Sequence, residues 1–220
     1  MAEIIAPSAR WRIAPLGDGG LLIGGAASDT PMLLAVAEAL EQSAPAGVLG
    51  CTLGLDTLLI RYDPLVVEVA ALRRRLRALL RRSASAVAPT PRLVEVPVRF
   101  GGDAGPDLEE VARAAGIGPV DVVALLCGGD YRVLMIGFAP GFPYIGGLPA
   151  PLRLPRRAVP RTRVLAGSVA IAEDMVGIYP QASPGGWHLV GRTGLRLFDP
   201  LADPPALLRP GDVVRFVSIP

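Results

Sequence analysis

The stretch YRVLMIGFAPGFPYIGGLPAPLRLPRRAVPRTRVLAGSVAIA, residues 131–172, decides how the chain is read. Short apolar runs alternate in it with Gly and Pro, and no helical period is sustained. Residues 133–152 run for twenty positions without a charge, long enough to span a bilayer. They also hold Pro140, Pro143, Pro149, Pro151 and four Gly, a load no lipid-exposed helix carries. The stretch is expected to be buried strand and tight loop, within a β-barrel or sandwich.

Its charges are one-sided. Between Asp130 and Glu173 there is no acid, yet Arg132, Arg153, Arg156, Arg157, Arg161 and Arg163 lie there. Five of these six fall in residues 153–163, threaded by Pro155 and Pro160. Such guanidiniums either pair with carboxylates distant in sequence or wait for a ligand carboxylate or phosphate. A Pro-stiffened loop favours the second use, because stiffness lowers the ordering cost of binding. Beside it stand two Gly/Pro-aromatic segments, GFAPGFPY at 137–144 and SPGGWH at 183–188. They can line a pocket or turn barrel corners; residue type leaves both open.

Working outward, 153–163 is preceded by Leu108–Ala115, a helix with Asp107 and Glu110 at capping-box spacing, and by a second helix over 120–126 stopped by Gly128-Gly129. Val94, Val96, Val98 and Phe100 alternate with polar positions, a half-buried strand; Pro97 places it at a sheet edge. Residues 83–91 read as a linker. Residues 1–88 alternate strands and helices: an apolar run at Gly20–Gly24, a helix from the Asp29-Thr30-Pro31 cap to about Gln42, a strand at Thr57–Tyr62, and a helix opened by Asp63-Pro64. That last helix has Leu65, Val69, Leu72, Leu76 and Leu79 as its apolar stripe. Its opposite face carries Arg73, Arg74, Arg75, Arg77, Arg81 and Arg82, read either as a solvated face or as a surface for an anionic partner.

Composition excludes whole chemistries. All 22 basic residues are Arg, so there is neither a P-loop lysine nor a Schiff base. The single His188 permits no two-His metal motif and falls mid-strand; a general base and a structural imidazole are both open readings. Cys51 and Cys127 follow apolar runs and read as buried thiols without a disulfide framework, which makes a cytoplasmic location the default. A net charge of +2 implies no nucleic-acid partner, and 51% hydrophobic residues supply an ample core. Residues 1–10 lack a signal-peptide profile. Gly17-Asp18-Gly19-Gly20 has incomplete dinucleotide-loop spacing.

The segments GFAPGFPYIGGL at 137–148, PRTR at 160–163, AGSVAI at 166–171 and GIYP at 177–180 occur in that order. SPGGW at 183–187, GRT at 191–193, LFDP at 197–200 and LRPGD at 208–212 complete the series. Together they resemble the family that contains the B subunit of 5-oxoprolinase, the sporulation kinase inhibitor KipI and proteins labelled allophanate hydrolase subunit 1. The first half agrees more loosely, through Gly17-Asp18 and Tyr62-Asp63-Pro64.

The resemblance implies an α+β chain: a small α/β domain over 1–88 and a cyclophilin-like β-barrel over 89–220. It implies a KipA-like sister subunit, of the type that forms the C subunit of 5-oxoprolinase, and a third subunit. The implied activity is ATP-dependent opening of a lactam or amide, with ATP bound at the level of the complex and this chain inactive alone. Two alternatives come with it, a KipI-like regulatory binding protein without turnover and a carboxyltransferase-type module acting on a urea-like compound. The substrate-binding positions it implies are Arg161, Arg163, Ser168, Trp187, Arg192 and Thr193, walled by backbone at Pro140, Gly141, Phe142, Gly185 and Gly186; no catalytic residue follows. The chain departs from the family pattern at 126–130, where no His precedes Tyr131, and at Glu173-Asp174-Met175-Val176 in place of Gly-Gly-Gln-Thr.

Overall fold

The computed structural model describes residues 11–25, 30–83 and 91–220. The chain divides into two compact units, Met1–Thr90 and Pro91–Pro220. The Asp29 cap, the opening ten residues and most of the linker at 83–91 lie outside the described residues.

In the first unit, strands β1 (Arg12–Pro15), β2 (Gly20–Gly24), β3 (Val48–Leu53) and β4 (Thr57–Tyr62) form an antiparallel sheet in the order β1-β2-β4-β3. Helices α1 (Thr30–Ser43) and α2 (Val69–Ser83) supply Leu33, Val36, Leu40, Leu72, Leu76 and Leu80 to the core built with Leu21, Ile23, Leu58 and Ile60. Gly17-Asp18-Gly19-Gly20 turns the β1–β2 hairpin and opens no helix.

The second helix starts later than its sequence suggests. The Asp63 carboxylate accepts the Leu65 N–H at 2.9 Å, and the Asp63 carbonyl accepts from Val66 and Val67. This local turn competes with helix at Asp63-Pro64. Glu68 then caps α2 by accepting the Ala71 N–H at 2.9 Å. Leu65, expected on the apolar stripe, is therefore 94% exposed.

The second unit contains β5 (Leu93–Phe100), β6 (Tyr131–Ile136), β7 (Pro143–Gly146), β8 (Arg161–Val164), β9 (Ser168–Ala172), β10 (Met175–Ile178), β11 (Ser183–Gly185), β12 (His188–Arg192) and β13 (Val213–Ser218). Seven of them close into a barrel in the order β10-β7-β6-β13-β5-β12-β9, while β8 and β11 pair as a separate two-stranded sheet. With α3 (Leu108–Ala115) and α4 (Pro119–Cys127), this is the α+β architecture with a barrel that the sequence led one to expect. Val96, Val98, Val133, Ile145, Ile171, Val176, Val190, Val214 and Phe216 fill the core, with Val111, Val122 and Leu126 of the helices packed on it.

Two expectations are corrected. Pro97 does not mark an edge strand, since β5 is part of the closed barrel. The parallel partner β13 runs beside Pro97, while β12 joins β5 only at Arg99 and Phe100, so the missing N–H falls where one flank has no registered neighbour. Asp107 and Glu110 do not form a capping box, because the Asp107 side chain makes no cap hydrogen bond. Its carboxylate turns instead to two arginines and to the barrel wall at Leu189. Among the described residues no helix is long and apolar enough to cross a membrane.

Candidate functional site

Strand alternation separates two layers on β7 and β10. Ile145 and its cross-strand partner Val176 point into the core, so the next pair, Tyr144 and Gly177, faces the other way. Gly177 makes that outer face flat: a Cβ there would stand 2.6 Å from the Phe142 ring and 3.0 Å from Trp187. On this floor five rings stack edge to face. Phe142 is the hub, with ring centroids 5.1 Å from Tyr144, 5.2 Å from Tyr179, 5.3 Å from Phe138 and 5.9 Å from Trp187. Phe142, Tyr179 and Trp187 are buried, whereas Phe138 is 63% exposed and holds a left-handed φ of 65°.

The 137–142 loop is fixed from behind. Gly141 has φ 78°, and a Cβ there would meet Phe198 Cβ at 2.7 Å, so only Gly lets the loop settle on Leu197-Phe198. Gly185 similarly admits Tyr179, whose hydroxyl would lie 2.2 Å from an added Cβ. Gly185 pairs with Arg161 across the β11–β8 sheet, which brings the aromatic stack to the arginine segment. Burial pushes the Tyr179 phenol above its ordinary pKa, as does neighbouring Tyr144. Arg156, a backbone hydrogen bond from Trp187, and Arg161 pull it back.

The arginine segment is not a free loop. Asp107 is only 3% exposed and its carboxylate makes three bonds. Oδ1 accepts from Arg161 at 2.7 Å and from Arg157 at 3.1 Å; Oδ2 accepts the Leu189 N–H of β12 at 2.7 Å. The Asp107 N–H donates back to the Leu189 carbonyl at 2.9 Å. Glu110, one turn along α3, accepts a second bond from Arg157 at 3.0 Å. The Arg157 N–H donates to the Gly186 carbonyl at 2.8 Å, next to Trp187. His188 completes the clamp, with Nε2 2.9 Å from the Pro155 carbonyl. An Nε2–H donor fits that acceptor, leaving Nδ1 without a hydrogen bond and 4.0 Å from Glu110. Arg157 Nε and Arg161 Nη1 are likewise buried without a partner.

The implied site residues thus fall into two linked groups. Phe142, Gly185, Trp187 and Arg161 gather around Tyr179, and Gly186 beside them receives the Arg157 N–H. Ser168, Arg192 and Thr193 gather around Gly167: Ser168 pairs with Arg192 across β9 and β12, the Gly167 carbonyl accepts the Thr193 N–H at 2.9 Å, and Arg192 donates to the Ala166 carbonyl at 3.0 Å. The Gly167 N–H donates to the Tyr179 carbonyl at 2.7 Å and joins the groups through the main chain. The Ser168 and Thr193 side chains are buried. Pro140 and Arg163 are exposed, and neither Arg163 nor Arg156 forms an ion pair among the described residues. A shallow cavity of about 340 Å³ lies apart from the stacked rings in its lining, which is Arg153, Leu154, Pro155, Glu173 and Asp174. Glu173, at one of the departures from the family pattern, turns the β9–β10 hairpin with φ 55°.

Residue-by-residue reasoning did not single out Asp107, Glu110, Tyr144 or Tyr179. Asp107 carried a signal, a helix-capping spacing, that pointed to a different role. The two thiols are half-buried rather than core residues; burial, with Glu41 nearby, pushes Cys51 up to about 11, and burial raises Cys127. Among the described residues no cluster of three or more His, Cys, Asp or Glu could hold a metal ion.

The family described as carboxyltransferase domain, subdomain C and D, is matched over residues 11–208. The B subunit of 5-oxoprolinase from Bacillus subtilis (strain 168) is 38% identical over 96% of this chain and 93% of its own length. That from Escherichia coli O157:H7 is 54% identical over 60% of this chain and 61% of its own length. The crystal structure of TTHA0988 superposes with TM-score 0.79 at 39% identity over 91% of this chain, which spans 40% of that protein. The chain belongs to the family of carboxyltransferase subdomains C and D that contains the 5-oxoprolinase B subunits.

Proposed function

We propose that the chain is a subunit of an ATP-dependent, 5-oxoprolinase-like amidohydrolase complex that works with a KipA-like sister subunit and a third chain. The observation that carries this reading is the joined aromatic–arginine face. A ring stack ends at the exposed Phe138, and cations surround its buried Tyr179. A planar lactam stacks on such rings, and its carboxylate pairs with guanidinium. In this reading Arg156 and Arg163 meet substrate directly, since neither has an ion-pair partner among the described residues. Arg161 keeps the Tyr179 side of the face cationic while one of its nitrogens stays on Asp107.

This chain offers no P-loop-type cradle for ATP. The sequence has no Lys, and Gly17-Asp18-Gly19-Gly20 is a hairpin turn whose N–H groups precede no helix. In this reading ATP therefore belongs to the partner subunits. The chain's own contribution is to bind and orient the amide and to keep one side of it dry, electrostatic work that needs no nucleophile from this protein.

Co-expression with the sister subunit and size-exclusion chromatography should give one co-eluting complex, in which 5-oxoproline stimulates ATP hydrolysis. In that complex Arg161→Ala should lower kcat/KM by more than about tenfold, as expected for loss of a charged hydrogen bond worth roughly 2 kcal/mol. Separate elution of the two chains would count against the assembly. A complex without stimulation would turn the reading toward a KipI-like regulator. Turnover of a urea-like compound instead would select the carboxyltransferase reading.

A further inference from the structure

We propose that Asp107 is the positioning residue of the aromatic–arginine face: one buried carboxylate on the barrel sets where the arginine strap at 155–161 lies, and with it the Trp187 side of the ring stack. The proposal rests on the reading of that face as the working face, but the strap's placement can be measured without any turnover.

Asp107 has left the job its sequence position suggests. It stands at the N-terminus of α3, yet its side chain makes no cap hydrogen bond. All its capacity goes sideways, to the Leu189 N–H of β12 and to two arginines fifty and fifty-four residues away. The bond to Leu189, answered by Asp107 N–H to Leu189 carbonyl, anchors the carboxylate on the barrel wall independently of the strap. The strap is fitted to this anchor.

The strap has no acid of its own. No carboxylate occurs between Asp130 and Glu173, so Arg157 and Arg161 must find one elsewhere in the fold, and both converge on the same Oδ1. Three further contacts fix the remaining freedom: Arg157 to Glu110, Arg157 N–H to Gly186, and His188 to the Pro155 carbonyl. Two of these three involve residues flanking Trp187. Displacing the strap thus moves the wall of the ring stack.

The closed strap also carries a cost. Among the described residues four buried polar side-chain atoms lack a partner, and three of them, Arg157 Nε, Arg161 Nη1 and His188 Nδ1, belong to this clamp. Two desolvated donors and one desolvated acceptor without partners disfavour the closed arrangement. It holds because an anchored carboxylate opposes that cost, so removing the charge should release the strap while the barrel stays folded.

The test is a double-mutant cycle on the full-length chain, read by hydrogen–deuterium exchange. Asp107→Asn keeps an acceptor for the Leu189 N–H and removes the charge. It should speed exchange at the Arg157 amide at least tenfold and leave the amides of β9 and β10 unchanged. Arg157→Gln with Arg161→Gln should do the same. Adding Asp107→Asn to that double variant should then change strap exchange by less than twofold, because the partners it acts through are gone. In a Trp11→Phe background, Trp187 emission should shift in the same variants in parallel. A full, additive effect of Asp107→Asn in the double-Gln background would overturn the proposal, since Asp107 would then act as a general structural residue. So would faster exchange spread evenly over the barrel, or an unchanged strap in either variant. If Asp107→Asn does not fold, the double-Gln variant alone decides: an unchanged Arg157-position amide sinks the idea. A strap released without loss of activity in the assembled complex would leave this placement standing and refute the functional reading instead.

Discussion

Two regions of this molecule are rich in arginine, and the fold treats them in opposite ways. Helix α2 carries six between Arg73 and Arg82, and the segment 153–163 carries five. On α2, Arg75, Arg77, Arg81 and Arg82 are exposed without an ion pair among the described residues, and only Arg74 reaches an acid, Glu68, at 3.4 Å. In the strap, Arg157 and Arg161 are about three-quarters buried and share Asp107. Local sequence does not explain the difference, since each region is short of nearby acids. What differs is a carboxylate brought from far away in the chain and anchored on the barrel wall. A charge run says where positive potential is; a distant buried partner says which of it is structural.

The comparison breaks most visibly at that partner. Asp107→Ala leaves the partly buried Arg161 guanidinium and the Leu189 N–H without their acceptor, and Arg157 with Glu110 alone. It should lower stability by about 3 kcal/mol, the low end for breaking a buried ion pair because the arginines keep some contact with water. The denaturant midpoint should fall with an unchanged slope. A loss below about 1 kcal/mol would place the strap's arginines with those of α2.

A smaller effect concerns charge felt rather than charge paired. Tyr179 is raised above its ordinary pKa by burial, and Arg156 is the first of the cations that pull it down. Arg156→Gln should therefore move the phenol further up, seen as a later rise of tyrosinate absorbance than in the parent protein. The sign for stability follows. A phenol whose folded pKa exceeds its unfolded value of 10.0 supports the fold fully below pH 10, and this support is lost as pH rises through the folded pKa. Alkaline unfolding of the variant should thus draw more on Tyr179 than that of the parent. An unmoved titration would mean that the strap's exposed cations do not act on the ring stack.

The same contrast explains how much could be read from the sequence. Strand β4 and helix α3 were legible residue for residue, because period and local punctuation determine them. Short apolar runs broken by Gly and Pro allowed a barrel or a sandwich, and the family resemblance implied the barrel. Helix α2 was misread at its start because Asp63 can close a turn as well as open a helix, and only the packing of Val66 and Val67 against Gly47 decides. Strands β1 and β3 gave no separate signal, four and six residues long and half exposed. At the site, the aromatic segments and Arg161 were visible as types. The Asp107 clamp was not, since its arginines stand fifty and more positions from Asp107 and its one local signal named a helix cap.

The smallest effect is expected on α2, and it sharpens the comparison most. Arg81 lies in the last turn of the helix, where a cation interacts favourably with the macrodipole, yet Arg77, one turn earlier, repels it. These influences are each about a few tenths of a kcal/mol and opposite in sign, and solvent screens both. Arg81→Gln should shift the unfolding free energy by less than about 0.5 kcal/mol, with little dependence on salt. A larger loss, or one that grows at low ionic strength, would mean that Arg81 has a partner of its own. The α2 face would then have to be understood as the strap is, through the carboxylate that holds it.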